Sequence, residues 1–324
     1  MTGVLLVNDI HLADRPPSAC TDTYTEDLFA LLTNIADLAR TTHATAVVWA
    51  GDVFHSKIPA RTSHATVRAL IEVARAHPCP VLVVPGNHDL THDRLDSLDH
   101  AQPLGVLFAS GAVTMLDRWS AVEQHAVNLP IYGVPWLKTF TDDTVGDALA
   151  DWRSRVSAAT VGLVVTHAPL YPPGQELPYE NYPAAQWAKA MDNHGTVHYG
   201  HVHEPHGIYT VDGVTFSNPG ALSRGSLHEH NLSRPVAIAA WDPKTGAVTH
   251  HTLPSRPADE VFRLAEISQS TASQQRLDDF LDTIGQTRIE VTSIEAVVAH
   301  IRGMELGGDL EALIAELLAE GAHR

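Results

Sequence analysis

Five short apolar runs in this 324-residue chain each lead straight into residues that ligate metals. Val4 to Val7 leads to Asp9-Ile10-His11, Ala46 to Ala50 to Gly51-Asp52, and Val81 to Val84 to Gly86-Asn87-His88-Asp89. Gly162 to Thr166 stops on His167, and Thr196 to Tyr199 on Gly200-His201-Val202-His203. A sixth run, Ile131 to Val134, has no such ending. Runs of this length rich in Val, Leu and Ile read as buried strands, and helical patterns separate several of them, so the expected fold class is α/β. Open α/β sheets collect their ligand groups outside the carboxyl ends of the strands, where all five clusters fall.

The intervening pattern supports that reading. Leu28, Leu31, Leu32, Ile35 and Leu38 follow helical spacing, with Thr23 and Glu26 as a candidate capping box. A second helix is expected to bury Val67, Leu70, Ile71 and Ala74, and a third Val145, Leu149, Trp152 and Val156; Pro183 opens a short helix through Trp187 and Met191. Beyond Thr210 the pattern turns to hairpins, with strands at Val214 to Ser217 and Val236 to Trp241 and turns at Asp212-Gly213 and Lys244-Thr245-Gly246. The expected division is a catalytic domain over 1–254 and a small, mainly helical region over 255–324, with helices around Ser273 to Ile284, Ser293 to Arg302 and Asp309 to Glu320.

Against 38 Asp and Glu there are 21 Lys and Arg, a formal charge of -17, so attraction to nucleic acid or an anionic membrane is not built into the overall charge. Any anionic substrate must be held locally. Cys20 and Cys79 lack metal spacing and are read as free thiols, which fits a reducing cytoplasm. The start of the chain lacks a signal-peptide pattern, and no apolar run approaches the roughly 20 residues of a spanning helix, so a cytoplasmic protein without a membrane role is expected.

Carboxylate and amide oxygens mixed with imidazole nitrogens suit Mn, Fe or Zn, whereas Mg and Ca sites normally use oxygens alone. A carboxylate such as Asp52 can bridge two ions about 3.5–4 Å apart, the spacing used for in-line displacement at phosphorus. Each motif alone is weak, and a strand-end His is more often a packing residue. Their order along successive strand ends is what carries weight.

That ordered set resembles the calcineurin-like metallophosphoesterases over roughly residues 4 to 253. The resemblance implies a four-layer αββα sandwich, here with a small helical C-terminal extension, and two divalent ions, Mn foremost with Fe or Zn as alternatives. It also implies that Asp9, His11, Asp52 and His203 hold one ion and Asp52, Asn87, His167 and His201 the other. By the same resemblance His88 protonates the leaving oxygen or stabilises the charged transition state, with Asp89 fixing its orientation.

The word Asp52-Val53-Phe54-His55 is similar to that of the SbcD-type DNA-repair nucleases, the branch of the meiotic recombination nuclease that includes phage enzymes. It implies that His55 is a second active-site histidine that helps place a DNA strand, and that an SbcC-type ATPase docks through helices after the catalytic domain. Two features differ from that branch: Ala13 stands where its members usually have Gly, and the remainder after Leu253 is short for a cap. The alternative substrate is a cyclic nucleotide or another small phosphodiester.

Arg15, Lys57, Arg61, Arg94 and Arg224 lie near metal motifs, and Arg224, after Asn218-Pro219-Gly220, is the preferred phosphate contact; solvated surface charge is the plain alternative for each. His228 and His230 could share one strand face in a surface or supporting role, and His198 is expected to pack in its strand. Trp49, Phe54, Trp119, Trp136 and Trp152 read as packing residues, since no aromatic cluster alternates with basic ones. The tail's apolar faces, such as Ile294, Val297, Val298 and Ile301, are expected to pack internally; partner docking or a homodimer is the alternative.

Overall fold

A computed structural model of the chain describes residues 3–118, 130–156, 161–175 and 180–265. The expected tail helices and Trp119 lie outside the described residues.

Along the chain run β1 (Val4–Val7), α1 (Tyr24–Thr42), β2 (Ala46–Ala50), α2 (His64–Ala76), β3 (Val81–Val84), α3 (Pro103–Ala109) and β4 (Thr114–Met115). There follow β5 (Ile131–Val134), α4 (Asp142–Ala148), α5 (Ala150–Arg155), β6 (Leu163–His167), β7 (Leu170–Tyr171), β8 (Tyr182–Pro183), α6 (Ala184–Ala190) and β9 (Thr196–Gly200). The last elements are β10 (Gly207–Val211), β11 (Val214–Asn218), α7 (Glu229–Ser233), β12 (Ala237–Trp241), β13 (Val248–Thr252) and α8 (Ala258–Val261).

These strands make two main sheets of the same plan, β13-β12-β1-β2-β3-β4 and β10-β11-β9-β6-β5, with β7 and β8 pairing apart. In each, four neighbouring strands are parallel, and one side is finished by the antiparallel hairpin β12–β13 in the first sheet and by the single antiparallel strand β10 in the second. Parallel strands must be joined by long crossovers, which is why α1 and α2 sit between the strands of the first sheet. Residue alternation then separates two cores. Leu163 and Val165 of β6 join Leu6, Val48, Leu82 and Val84 of the first sheet in an intersheet core, while Val164 joins a second core with Val145, Leu149, Trp152 and Trp187 of the outer helices. On the other flank α1 buries Leu28, Leu31, Leu32 and Ile35, so the layers are helix, sheet, sheet, helix, the expected four-layer αββα sandwich.

Three local expectations are revised. Thr23 caps no backbone amide: its backbone is helical at φ -80°, ψ -4°, and its hydroxyl donates to Asp27 at 3.1 Å. The third helix is two, α4 and α5, meeting at Leu149, although Val145, Leu149, Trp152 and Val156 are all buried as the spacing demands. His228 and His230 bound and enter short α7, not a strand, and their rings stack 5.6 Å apart. The turns are where the sequence puts them: Asp212 (φ 47°) and Gly213 (φ 85°) link β10 to β11 in a left-handed pair suited to a two-residue hairpin. Packing onto the sandwich continues past Leu253, since Phe262 bridges Cys20 and the Arg263 side chain donates to the Cys20 carbonyl at 2.8 Å. No helix among the described residues is long and apolar enough to cross a membrane.

Candidate metal centre

The ends of β1, β2 and β3 in one sheet and of β6 and β9 in the other meet at a single point. Backbone bonds stitch the first loops together: His11 N donates to Asp52 O at 2.8 Å, Leu12 N to Val53 O at 2.9 Å, and His55 N to Leu12 O at 3.0 Å. Asp9 (φ 48°), His11 (φ 48°), Asp52 (φ 49°) and His201 (φ 80°) all adopt the left-handed backbone that costs an ordinary residue about 1 kcal/mol or more. Four such residues in one cluster mark a geometry imposed by the surroundings. Gly51 lets the sheets close on each other, because a Cβ there would stand 2.2 Å from the His167 ring.

The side chains converge in two overlapping groups. His11 Nε2 lies 2.9 Å from His203 Nε2, 3.9 Å from Asp9 Oδ1 and 3.5 Å from Asp52 Oδ2, and His203 Nε2 is 3.6 Å from Asp9 Oδ1. His167 Nε2 lies 3.3 Å from that same Asp52 Oδ2 and 3.2 Å from Asn87 Oδ1, which is also 3.1 Å from His201 Nδ1. Asp52 Oδ2 is common to both groups. Ligand atoms about 2.1 Å from a shared ion stand about 3 to 4.2 Å from one another, so these spacings are those of coordination edges.

The donor set itself asks for a cation. His167 Nδ1 is 2.8 Å from the Ala50 carbonyl, which only accepts, so Nδ1 carries the proton and Nε2 turns a lone pair toward Asn87 and Asp52 unless a second proton is added. Buried His11 leaves its Nδ1 without a partner. The charges point the same way. Burial opposes protonation of His167, but the Asp52 and Asp9 carboxylates and the Ala50 carbonyl together outweigh it and push the ring up to about 9, so a proton supplies the missing positive charge. Burial of Asp52 works to raise its carboxyl, yet His167 holds it well below the usual range. Burial pushes Asp9 up to about 7 and holds His201 near 3, His203 near 4 and His11 well below its ordinary value. The cluster fits two divalent ions sharing Asp52; the donor types do not single out one metal.

Beside this cluster stand His55 and His88, with ring centroids 5.5 and 5.0 Å from that of His11. His88 Nδ1 lies 2.5 Å from the His55 carbonyl, so the second residue fixes the first through its backbone. The Asp89 carboxylate accepts instead from the amides of Val53 (3.0 Å), Phe54 (3.2 Å) and Gly86 (2.9 Å). It ties the loop after β2 to the loop after β3 and has no bond to the His88 ring, because the chain folds it inward, 1 % exposed. Burial pushes its carboxyl up to about 7.

The structure separates Arg224 from these residues. Its guanidinium donates to the Arg256 carbonyl at 2.6 Å and lines a surface hollow with Glu26 and Asp27. Arg15, Lys57, Arg61 and Arg94 are exposed, and Arg94 pairs with Asp96. Two residues outside the sequence-predicted site do reach it: Trp136, which the sequence reads as a packing residue, and Arg234. Trp136 lies over His201 with ring centroids 4.9 Å apart and donates from Nε1 to Asp93 at 3.0 Å. Arg234 is buried close enough for Asp9 and His203 to feel its charge. Trp136 does follow a strand, β5, but that strand lacks a ligand word; nothing local marks Arg234. Asn218, in contrast, supports the loop, donating to the Val202 carbonyl at 2.9 Å.

The chain is similar to the DNA double-strand break repair protein Mre11 of Archaeoglobus fulgidus, with 27% identity over 223 residues, 63% of this chain and 46% of that protein. It therefore spans about half the length of this curated relative. Among solved structures, TT1561 of Thermus thermophilus matches with a TM-score of 0.48 at 14% identity, covering 78% of this chain and 98% of that one. A dimetal phosphatase from Danio rerio matches at 0.44 and 15% identity, covering 74% and 91%. The sequence pattern of one family matches residues 3–205, well over half of the chain. With that match extending from β1 through the last candidate ligand, His203, the chain belongs to the calcineurin-like phosphoesterase family, hydrolases of phosphoester bonds.

Proposed function

We propose that this phosphoesterase hydrolyses phosphodiester bonds in nucleic acid, as a nuclease of the SbcD type. The observation that carries the reading is the His55–His88 pair, whose rings stand against His11 at the edge of the Asp52-centred cluster. The Mre11 similarity supports the same substrate class. Asp9, His11, Asp52 and His203 would hold one divalent ion and Asp52, Asn87, His167 and His201 the second, with Mn the expected metal. Such ions supply positive charge that polarises the phosphoryl oxygens and activates water.

The chain's own residues do the rest. Because the His55 carbonyl takes the Nδ1 proton of His88, Nε2 is the nitrogen that exchanges its proton with the reaction. His88, half-buried, then protonates the departing ester oxygen from Nε2. Asp89 keeps that geometry by holding the backbone of Val53 and Phe54, and His55, exposed beside it, meets the strand that carries the scissile phosphate.

The formal charge of -17 favours a second reading, a cyclic-nucleotide or other small-molecule phosphodiesterase, since a small substrate needs no extended basic track. Turnover of end-labelled DNA, cyclic nucleotides and a bis-aryl phosphodiester by the Mn-loaded full chain distinguishes the two. Cleavage of DNA ends, alone or with an SbcC-type ATPase, supports the nuclease; activity on small diesters with intact DNA refutes it.

A further inference from the structure

Arg234 is an arginine only 9 % exposed, and two of its three nitrogens are anchored. Nε donates to Asn231 Oδ1 at 3.1 Å and Nη2 to the Ser223 carbonyl at 2.9 Å. Asn231 is itself fixed, donating from Nδ2 to Ser226 O at 2.9 Å, and Ser223 is fixed to the metal loop, donating from Oγ to the Asp9 carbonyl at 3.0 Å. Nη1 has no partner. Leaving a charged donor buried and unpaired costs several kcal/mol, so a group held this firmly with one end free is set up for a ligand.

The guanidinium borders the metal centre, since Ser223, whose carbonyl takes Nη2, also donates to the Asp9 carbonyl. Asp9 and His203 lie within range of the Arg234 charge, and so does His230, whose Nε2 is likewise buried without a partner. The Asp9 carboxylate and the Arg224 charge reach Arg234, although the Arg224 guanidinium itself bonds to Arg256, and Glu204 reaches His230. Although burial draws the guanidinium down to about 10, it is still cationic at neutral pH. A carboxylate would suit a lone cation, but Asp9 is turned to the metal cluster and to the His201 amide, 3.1 Å away.

We infer that Arg234 is the substrate-phosphate grip of the centre, donating from Nη1 to a non-bridging oxygen of the phosphoester, with His230 Nε2 as a second contact. This rests on the phosphoesterase reading but not on the choice between nucleic acid and small diester. A guanidinium suits phosphate because its planar fork presents several donors at fixed angles.

The test is calorimetric binding of inorganic phosphate to the metal-loaded full chain, with metal content and melting temperature measured alongside. Arg234→Gln should retain both metals and bind phosphate about 10- to 100-fold more weakly, the loss expected for one or two charged hydrogen bonds. Arg234→Lys, which keeps the charge but not the fork, should fall between. Unchanged phosphate affinity in metal-replete Arg234→Gln overturns the inference. If Arg234→Gln loses metal or fold, Arg234→Lys decides: weakened phosphate binding with metals retained upholds the assignment, while wild-type affinity or lost metal makes Arg234 a prop for Asp9. Phosphate binding through Arg234 in a chain that cleaves no diester would retire the proposed function and leave this inference standing.

Discussion

The ligand cluster and the rim around it are built differently. Asp9, His11, Asp52, Asn87 and His167 are buried, four of the seven candidate ligands sit on left-handed backbone, and their loops are strung together by backbone hydrogen bonds. His55 is exposed, and His88 and Trp136 are half-buried, held by hydrogen bonds and by ring contacts with their neighbours. The cluster thus stores strain that the two sheets must enforce, and the rim is tied to it through the His88 amide, which donates to Asp52 Oδ1 at 2.7 Å. The candidate metal ligands lie in the constrained part, and the proposed proton donor, His88, at its rim.

Substitutions test that division most sharply where the cluster is weakest on charge. Asp52→Asn keeps the shape but removes the shared carboxylate, and should lower metal affinity by more than the about 10- to 100-fold typical of outer partners of a metal site. Bound metal should fall below two ions per chain by elemental analysis, and turnover should fall to background. Two tightly bound ions in that variant would break the assignment of Asp52 to both groups.

His88→Gln should show the opposite profile, with metal content intact and turnover lower by about 10²- to 10⁴-fold, the usual contribution of a proton-transfer residue. Near-normal turnover would refute its role as the proton donor, and metal loss would move His88 from the rim into the cluster. Asp89→Ala lies between the two regions. It strips the acceptor from three buried amides and should destabilise the protein by about 1–3 kcal/mol per amide left unpaired, seen as a lower melting temperature before any change in metal selectivity.

The smallest effect lies behind the cluster, at His198. Its Nε2 is 2.6 Å from Asn8 Oδ1, and burial holds it neutral down to about 3 instead of 6.5. Below 6.5 the unfolded chain binds a proton there and the folded chain does not, so stability falls as pH drops, by at most about 1.4 kcal/mol per pH unit. His198→Gln should flatten that acid limb in denaturant titrations between about pH 4 and 7. An unchanged slope would show that the acid sensitivity arises elsewhere.

Much of the fold is legible along the chain because strand runs and their terminal Asp, Asn and His are local signals. The six runs are β1, β2, β3, β5, β6 and β9, and five end in the cluster. The antiparallel edges were harder: β10 and β13 alternate weakly and become strands through pairing with β11 and β12. Thr23 illustrates the same limit, since a side chain four residues along competes successfully for its hydroxyl.

The sequence by itself determined which residues stand at the strand ends and therefore which donor chemistry the site holds, because parallel strands of one sheet all carry their C-termini to the same edge. Only the tertiary structure decided what surrounds those donors. Arg234 comes within reach of Asp9 from the far side of the sequence, Arg224 turns away toward Arg256, and Asp89 serves the Val53 and Phe54 amides rather than the His88 ring. Such neighbours follow from sheet register and loop path, which are set by burial over the whole chain and leave no mark in any short stretch of it.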